Sequence, residues 1–182
     1  MALDLAICIL GWVTIAAHTW SLRYHFNMPK MPPGVRLIST LVILSAAWLT
    51  FLTFRQVQPN TPQFVGLALM IASFLLFWWT IAESRSARLL AAFDEKLPHC
   101  VLRTGPYAWV RHPFYVSYLL KWGGWALAAW DIWALVPVIA MGTTYYVAAG
   151  EEEASFTDSE NAEAYEIYRK QTGRFFPRLF AR

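Results

Sequence analysis

Five long apolar runs constrain this chain more than any other feature. Residues 5–22, 35–54, 63–82, 114–130 and 132–149 each approach the ~20 residues that a helix needs to cross a bilayer. Their polar interruptions are few: Thr14, His18 and Thr19 in the first run, Ser, Thr and Trp in the second, Lys121 in the fourth. In lipid a helix satisfies its own backbone groups, so such runs are stable only as spans or as a deep core. Composition decides between these. Only 15% of residues are charged, against about a quarter in soluble domains, and 57% are hydrophobic. A large soluble protein that binds apolar ligands is excluded by the length and cleanness of the runs. The expected fold is an all-α integral membrane protein of one domain, with five transmembrane helices and a tail over residues 150–182.

The segments between the runs supply the punctuation. Asn27 to Gly34 holds three prolines and a glycine, residues 55–62 hold two more prolines, and Trp130-Asp131 is a tight turn. The fourth and fifth runs thus form a hairpin, in which Gly123 and Gly124 allow close helix contact. Residues 84–98 read as a continuation of the third helix or a surface helix. Beyond Gly150, Thr157 and Glu160 have capping-box spacing and predict a helix start, with Gly173 as its stop. The first run lacks a preceding basic stretch and continues to spanning length, so it reads as a span rather than a cleaved leader. Cys8 and Cys100 suggest neither a disulfide framework nor a metal site.

Charge placement orients the spans. With the N-terminus outside, thirteen of the fifteen Lys and Arg residues fall on the cytoplasmic side, leaving Arg55 outside and Lys121 within a span. The expected partner is therefore the lipid bilayer, and nucleic acid is not expected. Two polar clusters share the cytoplasmic face. One is the loop His99 to Tyr115, with two His, two Arg, two Pro and a Gly; the other is Glu151-Glu152-Glu153. They flank the ends of one hairpin, which brings them together. His and Arg suit an anionic carboxylate, Glu suits an ammonium or a ribose hydroxyl, and Tyr107 and Tyr115 suit a base or a cation. S-adenosylmethionine carries all of these groups.

The same residues resemble the isoprenylcysteine carboxyl methyltransferase family and its phospholipid methyltransferase relatives. His99-Cys-Val-Leu102 is similar to that family's His-x-Leu-Val element. Gly105-x-Tyr107, Arg111-His-Pro-x-Tyr115, the glutamates, and Tyr165-x-x-Tyr168 with Arg174-Phe-Phe-Pro177 follow in the family's order. The resemblance covers about the C-terminal half. It implies S-adenosyl-L-methionine held by His99, Val101, Leu102, Tyr107, His112, Pro113, Tyr115, Glu152 and Glu153. His112 and Glu152 are then the candidate catalytic residues. The family's prenylcysteine enzymes also carry an Arg one turn before the glutamates, where this chain has Tyr146-Val-Ala-Ala-Gly150. The acceptor is thus less defined than the methyl donor.

Two basic residues are candidates for the acceptor: Arg111, which otherwise faces lipid headgroups, and Lys121, which otherwise snorkels or pairs with Glu83. An ionisable residue inside a span defaults to a functional role. The expected activity is methyl transfer from S-adenosylmethionine to a lipophilic or lipid-linked carboxylate, amine or thiol. The alternatives are a phospholipid N-methyltransferase and an NADPH-dependent reductase of the sterol-reductase type, which also carries an Arg-His-Pro-x-Tyr element. No metal is expected at the site.

Overall fold

The computed structural model describes residues 1–24, 33–85, 101–156 and 159–178. Among the described residues six α-helices run in order: α1 (Ala2–Tyr24), α2 (Pro33–Arg55), α3 (Asn60–Ser84), α4 (Pro113–Ala129), α5 (Leu135–Ser155) and α6 (Ala162–Gln171). Among the described residues there is no strand, only one isolated bridge between Val110 and Gly173. Proline falls where a helix tolerates it. Pro33 and Pro113 open their helices, and Pro137 stands in the first turn of α5, where no donor is lost.

Four helices are long and apolar enough to cross a membrane: α1, α2, α3 and the segment Ile132–Ser155 that contains α5. The chain is an integral membrane protein. The fourth expected span is realised as α4, whose 17 residues fall short of the other four. Helix α4 lies at the centre of the bundle, packed on α1, α2, α3 and α5. Trp122, Trp125 and Lys121 on it are completely buried.

Small residues set how closely α4 approaches its neighbours. Its closest partner is α3, not α5. A Cβ on Gly124 would sit 2.7 Å from the Gly66 carbonyl oxygen, and one heptad away Ser73 Oγ donates to the Ser117 carbonyl at 2.6 Å. Gly123 faces open space. The glycine pair therefore joins α3 to α4 rather than closing the α4–α5 hairpin. On α1, Gly11 makes room for the Trp125 ring, which a Cβ at that position would overlap. The hairpin turn forms where expected. Trp130 adopts a left-handed conformation (φ 47°), and Asp131 accepts from the Trp133 amide at 2.9 Å.

At that same end Asp131 pairs with Arg55 at 3.5 Å, and Gln63 bonds Asp4. The opposite end gathers the C-termini of α1, α3 and α5 and the N-terminus of α4, and the candidate site forms there. Helix α6 begins at Ala162, later than the capping-box spacing predicts, with Ser159 rather than Thr157 shaping the approach: its Oγ accepts from the Asn161 amide at 3.2 Å. Thr157 lies outside the described residues. So do His25, most of the 84–98 segment, His99 and Cys100.

Candidate functional site

The motif loop is anchored at both ends. At its start, Thr104 donates to the Glu83 carboxylate at the end of α3. Gly105 has φ +57°, and a Cβ there would meet Glu83 Oε2 at 2.6 Å, so only glycine allows that approach. Glu83 is thus engaged with the loop and does not pair with Lys121. A single turn of 3-10 helix, Gly105–Ala108, buries Tyr107, and His112 then leads into Pro113, the first residue of α4.

The tail straps across this loop. The Arg111 amide donates to the Gly173 carbonyl at 2.8 Å and the His112 amide to the Arg174 carbonyl at 3.2 Å. Tyr168 Oη donates to the Tyr107 carbonyl at 2.6 Å, while Tyr165 stacks on Phe156 at 4.0 Å between ring centres. Arg103 reaches the Ala164 carbonyl and Arg111 the carbonyls of Arg169 and Thr172. These contacts explain the two tyrosines of α6: Tyr168 docks the tail on the loop and Tyr165 docks it on the end of α5.

At the centre is Glu153. Its Oε1 accepts from Arg111 Nη2 at 2.9 Å, His112 Nε2 at 3.0 Å and Arg174 Nε at 3.1 Å; its Oε2 accepts from Arg174 Nη2 at 2.6 Å. The side chains of Glu153 and Arg111 are 6% and 7% exposed, so this is an ion-pair cluster withdrawn from water. Such a cluster is held by its completeness, because removing one member strands the others. Arg111 is committed to this cluster and to the tail, away from lipid headgroups. Arg174, part of the family-like Arg174-Phe-Phe-Pro177 element but given no role from sequence, is Glu153's shortest contact.

Glu152, one residue earlier, has different surroundings. Its side chain is 38% exposed, and its Oε2 lies 3.6 Å from His112 Nδ1, in ion-pair range but beyond a hydrogen bond. It stands within electrostatic reach of the buried Tyr107 and Tyr115. The His112 ring is stacked near Tyr115, 5.5 Å between centres, with Phe175 on another side at 6.0 Å. Burial pulls the His112 pKa down, but Glu152 and Glu153 on its two nitrogens outweigh it and hold the pKa above the usual histidine value. Burial pushes the Tyr107 hydroxyl well up, with Glu152 adding to it.

The predicted residues thus separate into groups. Tyr107, His112, Pro113, Tyr115, Glu152 and Glu153 converge at one end of the bundle; Val101 and Leu102 are half-buried at the loop's start. Lys121 stands apart, deep along α4. Sequence reasoning passed over Tyr118 and Tyr145, which continue the aromatic wall inward from Tyr115. Tyr115 and Tyr145 stack at 5.5 Å and Tyr118 and Tyr145 lie 5.4 Å apart. The three-residue spacing of Tyr115 and Tyr118 on one helix face was the available signal.

A model of the phospholipid methyltransferase family matches residues 61–164, more than half of the chain. This stretch runs from the start of α3 through the motif loop and the glutamates into α6. No curated protein matches the chain.

Proposed function

The chain belongs to the phospholipid methyltransferase family, and from that premise we propose that it transfers a methyl group from S-adenosylmethionine to a lipophilic or lipid-linked acceptor. Membership makes it a membrane methyltransferase. The methyl donor, the acceptor and the residue roles are our reading. One observation carries it: two adjacent glutamates end α5, and while Glu153 is saturated by three partners, Glu152 keeps a half-open carboxylate beside His112, Tyr107 and Tyr115.

The donor set fits the methyl donor in kind. Glu152 suits an ammonium or ribose hydroxyls, the faces of Tyr107 and Tyr115 suit a base or a sulfonium, and His112 Nδ1 is the donor left for a carboxylate. The family resemblance adds His99, Val101, Leu102 and Pro113. S-adenosylmethionine supplies a methyl group on a positively charged sulfur. What this chain supplies is alignment and exclusion of water, which together lower the barrier of an in-line displacement. Glu153 acts at one remove, by fixing His112 and the tail.

Proton transfer falls to Glu152 rather than His112. Held between two carboxylates, the His112 ring holds its proton more tightly than a free imidazole and is less available as a base. A carboxylate acceptor needs no base, whereas an amine acceptor does. The second reading, a phospholipid amine acceptor, is favoured by the family description and by this available carboxylate. We further propose that α4 completes five crossings, with the site at the cytoplasmic end. The gathering of basic residues at that end supports this orientation, as does the neutralisation of Arg55 by Asp131 at the other.

Calorimetry tests the donor. S-adenosylhomocysteine should bind the purified protein saturably, with no heat from NADPH. Heat from NADPH alone would turn the reading towards a reductase.

A further inference from the structure

Two nitrogens inside the bundle have no hydrogen-bond partner: Lys121 Nζ and His18 Nε2. Lys121 is completely buried, and its ammonium lies 3.5 Å from the centre of the Trp122 ring. His18 faces it from α1, within electrostatic reach. The His18 ring packs 4.2 Å from Tyr118 and 4.7 Å from Phe77, between centres. Tyr145, which accepts from Trp122 Nε1 at 3.2 Å, closes the group against the wall that begins at Tyr115.

An unpaired ammonium in this setting calls for an anion. Lysine offers three donors and no acceptor, and leaving such donors unpaired in a dry interior is expensive. The ring face of Trp122 offsets only part of that. Five of the described carboxylates are engaged elsewhere: Glu153 with Arg111 and Arg174, Glu152 beside His112, Glu83 with Thr104, Asp131 with Arg55, and Asp4 with Gln63. Among the described residues none reaches Lys121. The described residues supply no counter-charge, which leaves the position open to a group from outside. Apolar helices surround the position and His18 as a residue is half-buried on α1, so an approach from the membrane fits it best.

Depth completes the argument. Lys121 follows His112 by nine residues, about 13 Å of helix rise, and its side chain leans back towards the helix N-terminus where Glu152 lies. Tyr115, Tyr118, Tyr145 and Trp122 line the interval. We propose that Lys121 and His18 hold an oxyanion, carboxylate or phosphate, of the membrane-borne acceptor, below the point where the methyl group is delivered. Assigning the anion to the acceptor rests on the methyltransferase reading; the oxyanion site itself does not.

The test uses the full chain in nanodiscs of neutral lipid and three brominated probes: a fatty acid, the matching alkyl phosphate and the matching alcohol. Quenching of tryptophan fluorescence reads occupancy, since Trp122 and Trp125 are beside the site. At least one anionic probe should bind ten times or more tighter than the alcohol, and the preferred anion names the group. Lys121→Met should abolish that preference, Lys121→Arg should keep most of it, and His18→Gln should reduce it several-fold. Equal binding of the alcohol and both anions by the wild-type protein would overturn the proposal. So would a Lys121→Met protein that still melts cooperatively and keeps the anion preference. Binding of S-adenosylhomocysteine is measured in parallel: its loss from the wild type removes the methyltransferase reading and leaves the anion result standing.

Discussion

The end of α5 and the middle of α4 treat buried charge in opposite ways. Around Glu153 every charge has a partner: three cationic side chains converge on one carboxylate, and their remaining donors reach backbone carbonyls of the tail. In the middle of α4, Lys121 Nζ and the facing His18 Nε2 have no hydrogen-bond partner among the described residues, and the surroundings are aromatic rings. A saturated cluster is architecture, because a ligand could enter it only by displacing a bond already made. An unsaturated one is open to an outside group. Glu152 stands between these extremes, attached to the clamp through His112 yet half-open.

The largest effect should come from breaking the clamp. Glu153→Gln leaves Arg111 without its counter-charge, and removing one partner of a buried pair costs about 3–5 kcal/mol. Thermal melting in detergent should show a large fall in midpoint, with S-adenosylhomocysteine binding lost as the tail detaches. A melting temperature unchanged from wild type would mean the cluster is not what holds the tail.

The interior of α4 should fail for a different reason. Gly124→Ala places a methyl 2.7 Å from the Gly66 carbonyl oxygen and 3.0 Å from the Leu69 and Met70 side chains, all in the α3–α4 seam. Overpacking of this kind costs about 1–3 kcal/mol. Gly123→Ala, facing open space, should be nearly neutral and is the internal control. Equal melting temperatures for the two variants would remove the glycine seam as the determinant of α4's position.

Between the two glutamates the comparison sharpens. Glu152→Gln removes a partly exposed charge whose ion-pair partner is His112, 3.6 Å away, so the cost in stability should stay within about 1 kcal/mol. Affinity for S-adenosylhomocysteine should fall about tenfold, or about 1.4 kcal/mol. The reverse pattern, stability lost and affinity kept, would exchange the roles assigned to Glu152 and Glu153.

Much of this was legible before any coordinates. The apolar runs announce the helices because length and hydropathy act locally, and the loop from Gly105 to Tyr115 announces a polar site between them. The partners were not legible. Three residues of similar chemistry, Glu151, Glu152 and Glu153, differ only by the 100° that separates successive positions on a helix, and the direction of that rotation is set by how α5 packs. Arg174 stands in a recognisable motif, but its partner is not legible until the strap at Gly173 brings it back to α5. Gly124 signals close packing, yet nothing in its sequence neighbourhood says that α3 supplies the other side. Lys121 is conspicuous in sequence; that it is completely buried with no described carboxylate beside it is a property of the surrounding bundle.

The smallest expected effect separates the clamp's fixed charges from its titrating one. Arg111 and Arg174 stay charged through neutral pH, whereas His112 titrates, and its folded pKa lies above the ordinary value because Glu152 and Glu153 favour the protonated ring over the opposing pull of burial. A group whose pKa is raised on folding contributes its stabilisation fully below the unfolded value, about 6.5, and loses it as pH rises through the folded value. Melting temperature should therefore decline gently from about pH 6 upward through the neutral range. One proton limits the slope to about 1.4 kcal/mol per pH unit. His112→Gln should flatten the profile over that window, because the amide keeps a donor towards Glu153 without titrating. A wild-type midpoint that rises with pH there, or a His112→Gln protein with the same decline, would show that His112 carries no raised pKa and return it to the candidates for general base.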